Sequence, residues 1–389
     1  MFAGGWIAAA VLLWDTTVPP LDLDGLDESR YFGERALRRA HDYSQGQRLI
    51  WLLGTAASIA SLLVLVRVVP RRAASLGLGR IGSAIVVGML VLVTLSFVGL
   101  PFSFAALWWQ HHWGLGPFDV FAWIVGQRLT LVANAMFAML AIVVVVGFGA
   151  RFGRRWWLAA SPVFLVLLAA LVFVSGWLLT ADTKSVRNPQ LRADVSRLER
   201  AVGVDGTPVH VQDVSDWTDQ PNAFAAGFGP STNVVLWNTL LDGRFPRREV
   251  NAVVAHELAH VKRRHVLKSL GWFALFVLPA GLVVAEATRR RGGMQDPVNL
   301  PYALLVFTVL GLVAAPFQNV VSRRYEAEAD WLALRATHDP RSVKELFRDL
   351  ERTSLAEPNP PLLDYVWLED HPTVMQRIAM AERYRERRR

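Results

Sequence analysis

Apolar residues in this chain come in long unbroken blocks, not at the spacing of a half-buried surface helix. Leu49–Val66, Ile81–Leu100, Leu129–Phe148, Trp156–Thr180, Leu270–Ala287 and Leu300–Val321 are each long enough to cross a hydrocarbon core of about 30 Å. None of the six contains Lys, Arg or Asp, and Glu286 lies near the end of its block. Buried helices of a soluble core are the alternative, but six such blocks fit a multi-pass membrane protein better. Met1–Trp14 is a shorter apolar stretch. It lacks a charged leader and a small-residue cleavage site before Asp15, so it reads as a retained first helix, giving six or seven spans.

The pattern changes at Ala181. From there to Val266 the composition is soluble, with helical spacing over Gln190–Val202 and Val-rich strands at Val209–Val214 and Thr232–Trp237. Asn222–Gly227 is a third strand-like run, either a core strand or an edge strand able to pair with an extended peptide. A helix over Phe245–Leu267 follows, with Pro246 suited to its first turn. After two more spans, Arg335–Arg389 reads as soluble and helical, broken at Pro358, Pro360 and Pro361, with His371-Pro372 opening a last helix that contains Arg377. The expected organisation is membrane helices over 1–180, an α+β domain over 181–267, a membrane hairpin over 268–321 and C-terminal helices over 322–389.

Charge and composition narrow the chemistry. The net charge of +8 comes mostly from arginine, with short basic turns at Arg67/Arg71/Arg72/Arg80, Arg151/Arg154/Arg155 and Arg289–Arg291, and a final run Arg385-Glu386-Arg387-Arg388-Arg389. Beside membrane segments such charge points to anionic lipid headgroups and not to nucleic acid. Asp15–Arg48 is a polar connection, acidic first (Asp22, Asp24, Asp27, Glu28) and basic later. Cysteine is absent, so there are no disulfides or thiolate metal sites, and any metal is held by His and carboxylates.

Such residues converge on Val253–His265, VVAHELAHVKRRH. His256 and His260 are four apart and share a helix face, with Glu257 about 100° away. This H-E-x-x-H spacing lets two neutral imidazoles hold zinc while the glutamate activates water. His265, nine positions after His256, falls on the opposite face of a continuous helix and is expected to face solvent or headgroups. The hairpin returns the chain to the same side, where Glu326 and Asp330 share a helix face. Glu326 completes a His-His-Glu set with one position open, and Asp330 accepts the N–H of a ligand histidine. Glu328, pointing elsewhere, reads as an ordinary charged position, and His111 and His112 as surface or interfacial residues.

Taken together, the chain resembles the integral-membrane zinc proteases of the CAAX prenyl protease 1 type, with HtpX-like proteases as more distant kin. The resemblance runs through Val18-Pro19-Pro20, Leu100-Pro101-Phe102, Pro221-Asn222-Ala223-Phe224, His256-Glu257-Leu258-Ala259-His260, Arg324-Tyr325-Glu326 with Ala329-Asp330, and His371-Pro372 with Arg377. It implies a multi-pass α-helical membrane protein of about seven transmembrane helices in a barrel around a chamber, with a gluzincin-like site at one end. It implies one Zn2+ per chain on His256, His260 and Glu326, Glu257 as general base, and Asp330 behind the ligands. Asn222, Ala223 and Phe224 would grip the substrate backbone; His371 and Arg377 would contact substrate, His371 as the candidate for stabilising the oxyanion. The chain departs from the family pattern at Gln110-His111-His112, where acidic residues are common, and in lacking a dilysine tail.

The expected activity is zinc-dependent hydrolysis of peptide or membrane-protein substrates, in a bacterial cell membrane given the excess of Arg over Lys. A zinc-binding transporter or receptor and a non-catalytic relative are the rivals. Charges on short loops put the basic turns in the cytoplasm and the site outside, whereas the resemblance puts the site on the cytosolic side.

Overall fold

The computed structural model describes residues 2–23, 25–69, 77–216 and 218–387. Asp24, Arg71, Arg72, Arg388 and Arg389, named above among the charged stretches, lie outside these residues. Five helices open the chain: α1 (Phe2–Trp14), α2 (Glu34–Val68), α3 (Gly79–His112), α4 (Val120–Phe152) and α5 (Trp156–Leu178). A mixed segment follows: β1 (Thr183–Ser185), α6 (Pro189–Val202), β2 (Val209–Gln212), β3 (Ala223–Ala226), β4 (Asn233–Trp237) and α7 (Arg247–Arg263). Two long helices, α8 (His265–Arg289) and α9 (Leu300–Thr337), lead to α10 (Pro340–Ser354), α11 (Leu362–Trp367) and α12 (Val374–Glu386).

Each apolar block lies within a helix, because in lipid a helix satisfies its own backbone groups. Among the described residues five runs are long and apolar enough to cross a membrane, and one of them, Val120–Leu178, holds two helices that fold back on each other at Gly153. α2 packs on α3, α3 on α4, α4 on α5, α5 on α8, α8 on α9, and α9 returns to α2, so six helices close a ring. α1 lies against α8; its 13 residues reach only about 20 Å. Large apolar side chains such as Leu129, Phe137, Val166 and Val313 stand exposed, as contact with lipid requires.

At one end of the ring sits a four-stranded sheet in the order β1-β2-β4-β3, with β2 and β4 parallel and both outer pairs antiparallel. β3 is therefore an edge strand, and α7 packs beside it. β1 was not anticipated: three residues are too few to show an alternation. The main core gathers Leu198 from α6, Val234 and Leu236 from β4, Val254 and Leu258 from α7, Leu334 from α9, and Ile378 and Met380 from α12. Phe32, 4% exposed, joins it, with Val18, Leu21 and Tyr31 packed alongside. The stretch read as a polar connection is thus a strap across the soluble domain. The turns that follow α4 and α8 lie at the other end of the ring, where Arg154 reaches Glu286 at 3.7 Å.

Candidate metal centre

α7 is the element that positions the site. Val250, Val254, Ala255, Leu258 and Ala259 are buried, so most of its surface faces protein. Pro246 proves to be its N-cap and not part of the first turn, its carbonyl accepting from the Glu249 amide. α9 runs unbroken for 38 residues, so the membrane span and the helix carrying Glu326 and Asp330 are one rigid rod. Ala255, Ala259 and Ala329 are fully buried, and their small side chains let α7 and α9 approach closely.

This packing brings His256, His260 and Glu326 together, one ligand atom from each within 4.8 Å of the others. The Nε2 atoms of the two histidines are 3.0 Å apart, and Glu326 lies 3.2 Å from His256 Nε2 and 3.4 Å from His260 Nε2. Glu326 Oε2 is buried without a hydrogen-bond partner. Two ring nitrogens and an orphaned carboxylate oxygen converging on one point fit a divalent cation, which satisfies all three at once.

Behind the site, His256 Nδ1 meets Asp330 Oδ1 at 2.9 Å, as the spacing predicts. Arg377 clamps that carboxylate, donating from Nε at 2.8 Å and from Nη2 at 2.7 Å. Its guanidinium also covers the Phe347 ring at 4.1 Å. Arg377 lines the cleft beside Glu257, but its paired donors are spent on Asp330. His371 stands at the mouth, 51% exposed at the side chain, with Nε2 3.3 Å from Glu326 and Nδ1 2.6 Å from Asp370.

Electrostatics separate these groups. Burial pushes the Glu257 carboxyl up to about 7, and Glu326 adds to this while His256, the Ala225 amide and Arg377 oppose it. Burial alone would lower His256, but Asp330 and Glu326 outweigh it and raise the ring to about 10. His260, without a carboxylate at its back, is lowered by burial to about 3. His371 is likewise pulled down by burial but is raised overall by Asp370 and Glu326.

Ala223 and Phe224 lie on β3, with Asn222 just before it. Trp237 donates to the Asn222 carbonyl, so by antiparallel alternation Phe224 exchanges bonds with Val235 while Ala223 and Ala225 turn their amide and carbonyl groups to the free edge. Asn222 Oδ1 accepts from the Ala223 amide at 2.8 Å. Ala225, which the sequence reading did not single out, thus belongs at the edge facing Glu257.

Two expectations are overturned. His265 is 4% exposed, with Nδ1 3.0 Å from His260 Nδ1, and is no solvent- or headgroup-facing residue. The helical count fails because Arg264 adopts the left-handed conformation at φ 53°, ending α7 and starting α8 in a new direction. Glu328 is fully buried and no ordinary surface charge: it meets His265, Thr17 and Arg263. No residue type marked this corner, since Gly and not Arg signals a positive φ. His111 and His112 are exposed, as expected, with His112 stacked on Trp108.

Comparison with known proteins accords with this geometry. The model of Peptidase family M48 matches residues 185–385, just over half of the chain. The uncharacterized metalloprotease YhfN of Bacillus subtilis is 28% identical over 247 residues, 60% of this chain and 58% of that protein. The chain thus spans less than two thirds of YhfN. A protease HtpX homolog of Ralstonia nicotianae is 29% identical over 277 residues, covering 67% of this chain and 87% of its own length. The crystal structure of S. mikatae Ste24p superposes with a TM-score of 0.80 over 98% of this chain and 97% of that one, at 16% identity, which is a likeness of fold.

Proposed function

This chain belongs to peptidase family M48, and its long apolar helices make it a multi-pass membrane protein; we propose that it is a zinc-dependent endopeptidase cutting peptide or membrane-protein substrates that reach the end of its helical ring. His256 and His260 would hold the ion through Nε2, and Glu326 through its carboxylate. Bound there, zinc would supply Lewis-acid polarisation of the scissile carbonyl and acidify a water. The chain's own residues do the rest. Glu257, buried and poised near neutrality, takes the proton of the attacking water and passes it to the leaving amine. Asp330, clamped by Arg377, accepts from His256 Nδ1–H and so keeps the Nε2 lone pair turned toward the ion. His371, held by Asp370, donates to the carbonyl oxygen as it gains charge. Ala223 and Ala225 at the free edge of β3 pair with an extended backbone, fixing the bond to be cut above Glu257.

The observation that carries this reading is the convergence of two Nε2 atoms and an orphaned carboxylate within 4.8 Å, with a buried glutamate alongside. An ion held only for structure needs no such carboxyl. Purified Glu257→Gln is expected to retain about one zinc per chain while its peptide hydrolysis falls by a factor of a thousand or more. A fully active variant overturns the assignment.

A further inference from the structure

We infer that His265 and Glu328 form a relay that positions the second imidazole ligand, His260, and fixes which of its nitrogens faces the metal. The inference rests on the metal site proposed above. His260 turns Nε2 toward His256 and Glu326, and its back nitrogen, Nδ1, lies 3.0 Å from Nδ1 of His265. The other nitrogen of His265, Nε2, lies 3.0 Å from Glu328 Oε2. A carboxylate can only accept, so His265 carries its proton on Nε2 and offers a lone pair at Nδ1. Two ring nitrogens 3.0 Å apart share one proton, so His260 donates it from Nδ1. That leaves His260 Nε2 bare and ready to coordinate. Glu328 thus sets a tautomer two rings away, the task Asp330 performs for His256 by direct contact.

The relay is built, not incidental. Glu328 is fully buried and accepts from the Thr17 amide at 2.5 Å and the Thr17 hydroxyl at 2.9 Å, and it pairs with Arg263 at 2.8 Å. The His265 ring lies flat on Tyr325, with centroids 4.6 Å apart and planes 8° off parallel. Both members are therefore held in orientation as well as in place. A buried His–Glu pair that only stabilised the corner between α7 and α8 would need no contact with a ligand's back nitrogen.

The test uses the full-length chain in detergent, loaded with Zn2+ or Co2+ and titrated with a chelator. His265→Phe keeps the stack on Tyr325 and removes both nitrogens; Glu328→Gln keeps the shape and removes the obligate acceptor. Each is expected to weaken metal binding by about 10–100-fold and to shift the visible bands of the Co2+ protein. Leu198→Ala, a core truncation away from the site, should lower stability without moving those bands. His256→Ala is the control: if it too keeps its metal, the metal-site reading itself fails. If it loses the metal while His265→Phe binds as tightly as wild type with unchanged bands, the relay alone is overturned. Should both relay variants fail to fold, 15N-histidine spectra of the wild type decide. An Nδ1–H proton on His260 with Nε2–H on His265 supports the relay, and the reverse tautomers sink it.

Discussion

Glu351, on α10, is fully buried, and neither of its carboxylate oxygens has a hydrogen-bond partner. Burial raises its carboxyl to about 7. A raised carboxylate destabilises the fold wherever the unfolded chain would be ionised. The penalty is absent below the unfolded value near 4.5, grows as pH rises, and is complete above about 7. Glu351→Gln is therefore expected to leave stability nearly unchanged at pH 4 and to raise it on the order of 3 kcal/mol at pH 8, read from urea midpoints. An equal gain at both pH values would refute this. At this scale the sequence told much about the site and little about its support. His256, Glu257, His260, Glu326 and Asp330 follow from spacing along single helices, and the structure places them together. His265 and Glu328 did not, because their meeting depends on one left-handed arginine that breaks the count.

β3 was legible as a strand from its small apolar residues between Pro221 and Gly229, but edge and core strands look alike in four residues. The pairing order settles that: among the described residues only β4 flanks it. Because the Ala225 amide points away from β4, a proline there should cost the sheet little, whereas proline at Phe224 removes a ladder bond. Ala225→Pro is expected to fold with a melting temperature within a few degrees of wild type and to lose tenfold or more in kcat/KM, since it removes an edge donor that also bonds the Glu257 carboxyl. Phe224→Pro should chiefly lose stability. If Ala225→Pro cleaves peptides as fast as wild type, the edge does not grip substrate. The α7–α8 corner shows the limit of reading elements from sequence. A continuous helix over Phe245–Leu267 fits the residue pattern as well as the two helices that form, since the break resides in backbone conformation.

On the scale of the whole molecule, His256, His260 and Glu326 sit where the sheet domain meets the ring of helices, and this has a consequence for substrates. A cavity of about 530 Å³ opens directly beneath His260 and Glu326, walled by Leu168 and Val172 of α5, Trp272 and Phe276 of α8, and Phe317 of α9. Its walls are mostly apolar, with Ser269, Gln318 and Ser322 among the polar exceptions, so a bulky apolar group next to the scissile bond gains by leaving water there, while a small or charged one gains less. The closed ring was legible only as a resemblance: apolar blocks reveal helices, but not which helix packs on which. Val172 lies on the cavity wall on α5, a helix that carries none of His256, His260 and Glu326, so Val172→Trp should fill space without replacing any of them. The expected result is unchanged metal content, with kcat/KM lowered roughly tenfold to a hundredfold for peptides carrying Leu or Phe beside the cut and little changed for those carrying Gly or Ala. An equal loss for both peptide sets would mean that the substitution damages the site itself. No loss for either would mean that substrates approach along β3 alone, from the soluble side, and that the space enclosed by the helices takes no part in choosing them.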